Sequence, residues 1–142
     1  MDAMLKPLTT HLDERGRLTE IFRGSDDAHG FGQAYITTAA AGVVKAWHRH
    51  RKQWDRWYCV AGAAKVGLFD EATGKARTVV LAADTPQLLT IPAGIWHGFT
   101  PCHGHREAAI LNMPSAEYNA LDPDEERVGP EHFPFRWEIC SR

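Results

Sequence analysis

The sequence predicts an all-β domain, a sandwich or barrel of short strands. Short apolar or alternating runs recur along the chain, and turn signals such as residues 70–74 separate them. No segment has the length and period of a long helix. The chain of 142 residues contains neither a repeat nor a linker, so residues 1–142 are predicted to form a single domain.

Ten segments are predicted as strands, and residues 70–74 are predicted as a hairpin loop between two of them. In chain order the predicted strands are residues 17–22, 33–38, 43–48, 56–60, 63–69, 78–81, 87–91, 98–99, 108–112 and 133–139. The best helix candidate is the short stretch 123–127.

Composition excludes several classes of protein. Hydrophobic residues make up 44% and charged residues 24% of the chain, with a net charge of −2, which argues against a broad nucleic-acid-binding surface. No apolar run is long enough for a signal peptide or a membrane span, so we expect a cytoplasmic protein. The cysteines, Cys59, Cys102 and Cys140, are too few and too widely spaced for a disulfide framework, and we expect reduced thiols.

The functional signal lies in the histidines in the middle of the chain. His48 and His50 are two residues apart on a predicted strand, so their side chains project to the same face. His97 follows a turn that contains Pro and Gly. His103 and His105 flank a glycine in a turn and are expected to be solvated. Imidazole is both a common metal ligand and a common general acid or base.

Two motifs in order resemble those of the cupin superfamily. Residues 42–62 read G-x5-H-x-H-x4-D-x6-G, and residues 92–97 read P-x-G-x-x-H. The first motif normally carries Glu where this chain has Asp55. The resemblance implies a double-stranded β-helix, the jelly-roll cupin barrel, with the histidines at its mouth.

A wider resemblance covers nearly the whole chain. Residues 13–23 resemble the D-x-R-G-x-F-x-E-x-F opening of dTDP-4-dehydrorhamnose 3,5-epimerases, and Gln33 lies fifteen residues before His48, as a substrate-contacting Gln does there. Residues 42–48 and 91–99 resemble the G-V-x-R-G-L-H and I-P-x-G-x-A-H-G-F segments of this RmlC-like family. The resemblance implies a homodimer that acts on dTDP-sugars without a metal and uses His48 as its base.

The sequence also resembles dTDP-sugar 3,4-ketoisomerases. Their H-x-H-K motif lies fourteen residues before a turn Gly, as His48 lies before Gly62, and Tyr35 falls where they place an active-site Tyr. The strand at residues 109–112 lacks the acid Tyr of the epimerases, and residues 128–131 lack their partner Asp. Epimerisation and ketoisomerisation therefore both remain open.

These comparisons define a candidate site. His48, His50 and Tyr35 are predicted to be catalytic, with His48 taking a proton beside a sugar ketone and His50 or Tyr35 returning it. The residues predicted to bind the nucleotide-sugar are Arg15, Glu20, Arg23, Gln33, Lys45, Arg56, Tyr58, His97 and Asn112. Arg15, Arg23 and Lys45 are the predicted diphosphate contacts, because cationic groups bind phosphate oxygens.

Two alternatives stay open. In the first, His48, His50, Asp55 and His97 bind a divalent metal such as Fe, Mn, Ni or Zn in a metal-dependent cupin enzyme. In the second, the missing Tyr and Asp indicate a sugar-nucleotide-binding cupin without activity.

Overall fold

A computed structural model describes residues 1–139, which form twelve strands and no helix. Cys140 lies outside the described residues. The strands are β1 (Met4–Pro7), β2 (Thr10–Asp13), β3 (Gly16–Thr19), β4 (Tyr35–Ala40), β5 (Lys45–Arg49), β6 (Asp55–Ala61), β7 (Ala63–Asp70), β8 (Lys75–Ala82), β9 (Gln87–Ile91), β10 (Trp96–Pro101), β11 (Glu107–Asn112) and β12 (Glu126–Arg127).

Two five-stranded antiparallel sheets form the barrel. The first sheet has the order β1-β9-β6-β11-β4, and the second has the order β12-β5-β10-β7-β8, while β2 and β3 form a separate hairpin. Alternate side chains of each strand face the space between the sheets, where Leu68, Leu89 and Ile110 are fully buried. The predicted all-β sandwich or barrel is confirmed.

A second apolar cluster covers the outer face of the second sheet. The final strand predicted at residues 133–139 is wrong, because this segment is irregular and inserts aromatic rings into that face. Phe133 stacks on Phe69 with ring centroids 4.2 Å apart, and Trp137 lies 4.8 Å from Trp47. Burial of aromatic surface, not strand pairing, fixes this segment.

The predicted helix at residues 123–127 is also wrong. Glu126 and Arg127 form β12, which pairs with Arg49 and His48 of β5. The Glu126 carboxylate accepts a 2.6 Å hydrogen bond from the Arg49 guanidinium. A long-range ion pair and two strand partners therefore override the local helix signal.

One strand boundary also differs from the prediction. The strand predicted at residues 17–22 ends at Thr19, and its partner β2 has no counterpart among the predicted strands. Cys59 is buried and Cys102 is half-buried, and both are free thiols. Within residues 1–139, no helical segment has the length and apolarity that a membrane span requires.

Candidate active site

A cavity of about 680 Å³ opens between the sheets. Tyr35 and Thr37 of β4 line one side, and residues 45–48 of β5 line another. The segment from Ala116 to Val128 supplies further walls. The cavity is therefore enclosed by both sheets and by a loop that the motifs do not include.

His48 and His50 both face this cavity, and their ring centroids are 5.9 Å apart. Strand β10 holds β5 from one side through the pairing of His97 with His48, and these two rings lie 4.2 Å apart. Gly98 permits this approach, because a Cβ there would overlap Ala46. The close contact of β5 and β10 thus brings three imidazoles together.

Asp55 links two of these imidazoles. Its Oδ2 atom lies 3.1 Å from Nε2 of His97 and 3.3 Å from Nε2 of His50, and the carboxylate is fully buried. Nδ1 of His50 lies 2.5 Å from the Asp124 carbonyl oxygen, and Nδ1 of His97 lies 2.8 Å from the Ile95 carbonyl oxygen. Both nitrogens of each ring therefore face oxygen atoms, and for His50 this arrangement favours the charged imidazolium beside Asp55.

The two histidines of the H-x-H motif have opposite electrostatic environments. Burial lowers the pKa of His48 well below 6.5, and the neighbouring His97 lowers it further. Burial also lowers the pKa of His50, but the hydrogen bond and charge of Asp55 outweigh this, so the pKa is raised above 6.5. Burial of Asp55 raises its pKa, but hydrogen bonds from His50 and His97 lower it well below 3.8. At neutral pH His48 is therefore neutral, whereas Asp55 favours the charged form of His50.

Tyr35 lies on the opposite sheet from these histidines. Nδ2 of Asn112 donates a 2.9 Å hydrogen bond to the Tyr35 hydroxyl oxygen, and Oδ1 of Asn112 accepts from the backbone N–H of Arg56. Burial and the charge of Asp55 raise the pKa of Tyr35 above 10.0. The phenol thus keeps its proton, and since its oxygen accepts from Asn112, the O–H remains available to the cavity.

Two cationic side chains line the cavity. Lys45 was predicted, and its Nζ atom donates a 3.1 Å hydrogen bond to Thr37. Arg127 was not predicted, because its segment read as a helix, and it forms a 2.9 Å ion pair with Glu125. Gln33 also lines the cavity, and its Oε1 atom accepts from the backbone N–H of Tyr118.

Several predicted substrate contacts lie elsewhere. Arg15 binds Asp13 on the exposed hairpin, and Arg23 pairs with Glu20 outside the cavity. In a single chain, none of Arg15, Glu20 and Arg23 lines the cavity. Their contacts with substrate therefore remain predictions.

Four other predicted substrate contacts do not line the cavity. Arg56 is fully buried, binds Asp27 and the Met113 carbonyl oxygen, and stacks on Phe22, so it has no surface for a substrate. Tyr58 lies two residues after Arg56 on β6, so both side chains project to the outer face of the strand. Tyr58 therefore lies outside the cavity. His97 and Asn112 are buried behind the cavity wall, where they contact Asp55 and Tyr35.

The histidine cluster also has the composition of a metal site. One ligand atom each from His48, His50, Asp55 and His97 lies within 4.8 Å of the others. Three imidazoles and a carboxylate suit a divalent transition metal. The Nδ1 atoms of His50 and His97 face carbonyl oxygens, which leaves their Nε2 atoms for a metal. These residues therefore fit a metal as well as a proton-sharing network.

The sequence is similar to those of proteins of polysaccharide and glycan biosynthesis. The profile of the polysaccharide biosynthesis C-terminal domain matches residues 11–125. The chain is 34% identical to the probable low-salt glycan biosynthesis epimerase Agl13 of Haloferax volcanii, over 89% of this chain and 86% of that protein. It is also 34% identical to the spore coat polysaccharide biosynthesis protein SpsL of Bacillus subtilis, over 97% and 96% of the two chains.

Solved structures share the architecture. A dTDP sugar isomerase from Desulfovibrio desulfuricans G20 has 27% identity and a TM-score of 0.84, with 96% of this chain and 90% of that chain covered. A dTDP-4-dehydrorhamnose 3,5-epimerase from Elizabethkingia anophelis has 22% identity and a TM-score of 0.82, over 98% and 82% of the chains. The predicted jelly-roll cupin fold is confirmed.

Proposed function

We propose, from the premise that this chain belongs to the polysaccharide biosynthesis C-terminal domain family, that it is a sugar epimerase or ketoisomerase acting on a dTDP-4-keto-6-deoxyhexose. The proposed reaction moves a proton at a carbon beside the sugar ketone. The observation that carries the proposal is that both H-x-H rings face one cavity in different surroundings, with Nε2 of His50 3.3 Å from the buried Asp55 carboxylate and the ring of His48 without a carboxylate partner among residues 1–139.

His48 is the proposed base. Its ring faces the cavity, stays neutral at pH 7, and has no hydrogen-bond partner among residues 1–139. Such an imidazole accepts a proton from a carbon next to the ketone, and the electron pair of the C–H bond moves into an enolate. The low pKa weakens the base but ensures that it is unprotonated when the substrate binds.

The proton returns from one of two candidate acids. His50 lies on the same side of the cavity as His48, with its Nε2 atom 3.3 Å from Oδ2 of Asp55, and Tyr35 lies on the opposite sheet and offers an O–H that Asn112 leaves free. In an epimerase, donation by Tyr35 to the opposite face of the same carbon inverts its configuration. In a ketoisomerase, the proton moves between neighbouring carbons through an enediol.

Lys45 and Arg127 are the proposed contacts for the diphosphate, since both line the cavity.

We further propose a homodimer. Support comes from exposed apolar side chains on strands of the first sheet, Ile36 and Val60, and on the hairpin, Leu12 and Leu18. The molar mass in solution tests this assembly, and a monomer at micromolar concentration would contradict it.

A metal-dependent enzyme is the second candidate, because four ligand atoms cluster within 4.8 Å. A bound divalent ion would act as a Lewis acid on a carbonyl oxygen. His48, His50, Asp55 and His97 would hold it. We favour the metal-free reaction because Asp55 already has hydrogen-bond partners on both carboxylate oxygens. Metal analysis of untagged protein purified without chelator separates the two, and stoichiometric metal that activity requires would favour the second.

The test of the main proposal is incubation with dTDP-4-keto-6-deoxyglucose in deuterated water. We expect deuterium from solvent at a carbon beside the ketone. Label at C3 and C5 identifies a double epimerase, label at C3 alone identifies a 3-monoepimerase, and label at C4 of a 3-keto product identifies a ketoisomerase. Tight binding without label would contradict catalysis and support a binding protein.

A further inference from the structure

Gln53 is a cavity residue that the motifs did not single out. It lies in the turn between β5 and β6, is 8% exposed, and lines the cavity beside His50. Its backbone N–H donates a 2.9 Å hydrogen bond to the Asp124 carboxylate, which also accepts from the backbone N–H groups of Arg51 and Lys52. Asp124 therefore holds the backbone of Gln53 in place beside the cavity.

The contact with Asp55 decides which way the Gln53 amide points. The side chain lies 2.7 Å from Oδ1 of Asp55. The NH₂ group of Gln53 faces this oxygen and donates the hydrogen bond. The carbonyl oxygen, Oε1, consequently points away from Asp55.

Oε1 of Gln53 has no partner among residues 1–139. Within the same residues, the fully enclosed polar side-chain atoms without partners are the indole nitrogens of Trp57 and Trp137. Oε1 therefore retains accessible surface, and the surface that this otherwise buried residue presents belongs to the cavity. An oriented acceptor of this kind suits a ligand that donates a hydrogen bond.

We infer that Gln53 contacts the substrate, its Oε1 atom accepting a hydrogen bond from a hydroxyl group of the hexose while its NH₂ group holds Asp55. The inference rests on the proposed function and adds a residue that recognises the sugar. It links the sugar hydroxyl, through Gln53 and Asp55, to the imidazole of His50. A sugar that carries this hydroxyl therefore contacts the same chain of side chains that holds His50.

The experiment compares Gln53→Met with wild type, using the parent keto-sugar nucleotide and analogues that lack the C2 or the C3 hydroxyl. The affinity of wild type, measured by calorimetry, should fall roughly tenfold when the contacted hydroxyl is removed, and the affinity of Gln53→Met should change less than about twofold. Gln87→Met on β9, away from the cavity, is the matched control and should discriminate like wild type. A merely structural role for Gln53 would lower the affinity equally for all ligands and overturn the inference.

A second measurement does not depend on a variant that folds. In ¹⁵N-labelled wild type, the side-chain amide signals of Gln53 should shift more with the parent nucleotide than with the analogue lacking the contacted hydroxyl. Equal shifts with all three ligands would overturn the inference while the proposed function stands. If wild type neither binds nor exchanges any of these ligands, the proposed function fails, and the inference fails with it.

Discussion

Oδ2 of Asp55 lies 3.3 Å from Nε2 of His50, and this contact separates the protonation states of two histidines that are two residues apart. Where His50 returns the proton, the reaction needs a neutral His48 and a charged His50. The acid limb of kcat/KM should therefore lie below pH 6.5, where His48 takes up a proton, and the alkaline limb above pH 6.5, where His50 loses one. An acid limb above pH 6.5, or an alkaline limb below it, would contradict this assignment.

Replacement of Asp55 by Asn should move the alkaline limb to lower pH. The amide has no negative charge, so the hydrogen bond and charge that raise the pKa of His50 are lost. The kcat/KM profile of Asp55→Asn measures the shift. Asp84→Asn, which alters an exposed carboxylate between β8 and β9, is the control and should leave the profile unchanged.

His48→Asn should lower solvent-deuterium incorporation by roughly 10²- to 10⁴-fold, the usual contribution of a general base. The nucleotide should still bind, because the proposed diphosphate contacts, Lys45 and Arg127, remain. His103→Asn, in an exposed turn outside this cavity, should behave as wild type. Calorimetric binding together with deuterium exchange distinguishes lost chemistry from lost binding, and retained exchange in His48→Asn would refute the role of this base.

The parts of the fold that could be predicted from sequence are those set by local signals. The turns at Gly42, Gly62 and Gly94 have φ values of 79°, 69° and 89°, which favour glycine, and strands begin or end close to each of them. The single-residue spacing of His48 and His50 likewise predicted that both rings face one side, and both line the cavity.

The remaining features depend on partners far along the chain. The helix signal at residues 123–127 gave way to pairing with Arg49, more than seventy residues earlier. For the same reason Arg127 was missed as a cavity residue. The direction of Gln53 depends on Asp55, and the burial of Arg56 depends on Asp27, which no motif links to it.

Tyr35→Phe tests the proposed acid on the other sheet. Loss of the hydroxyl removes the proton donor and leaves the Asn112 amide without its partner, so kcat should fall more than about 10²-fold while KM changes little. Tyr58→Phe, on the outer face of β6, should retain wild-type kinetics. If the two variants have equal activity, His50 alone returns the proton or the reaction follows another course.

Arg56 is proposed to stabilise the fold and to make no contact with substrate. Its guanidinium is fully buried against Phe22 and is neutralised by Asp27, so Asp27→Ala leaves an uncompensated charge in the interior. We expect the free energy of unfolding to fall by about 3 kcal/mol, measured by urea denaturation. Asp13→Ala removes an ion pair on the exposed hairpin and should cause no measurable change. If Asp27→Ala instead lowers the affinity for substrate and leaves the free energy of unfolding unchanged, Arg56 does contact the substrate. Only a guanidinium that reaches the cavity can change binding without changing the fold.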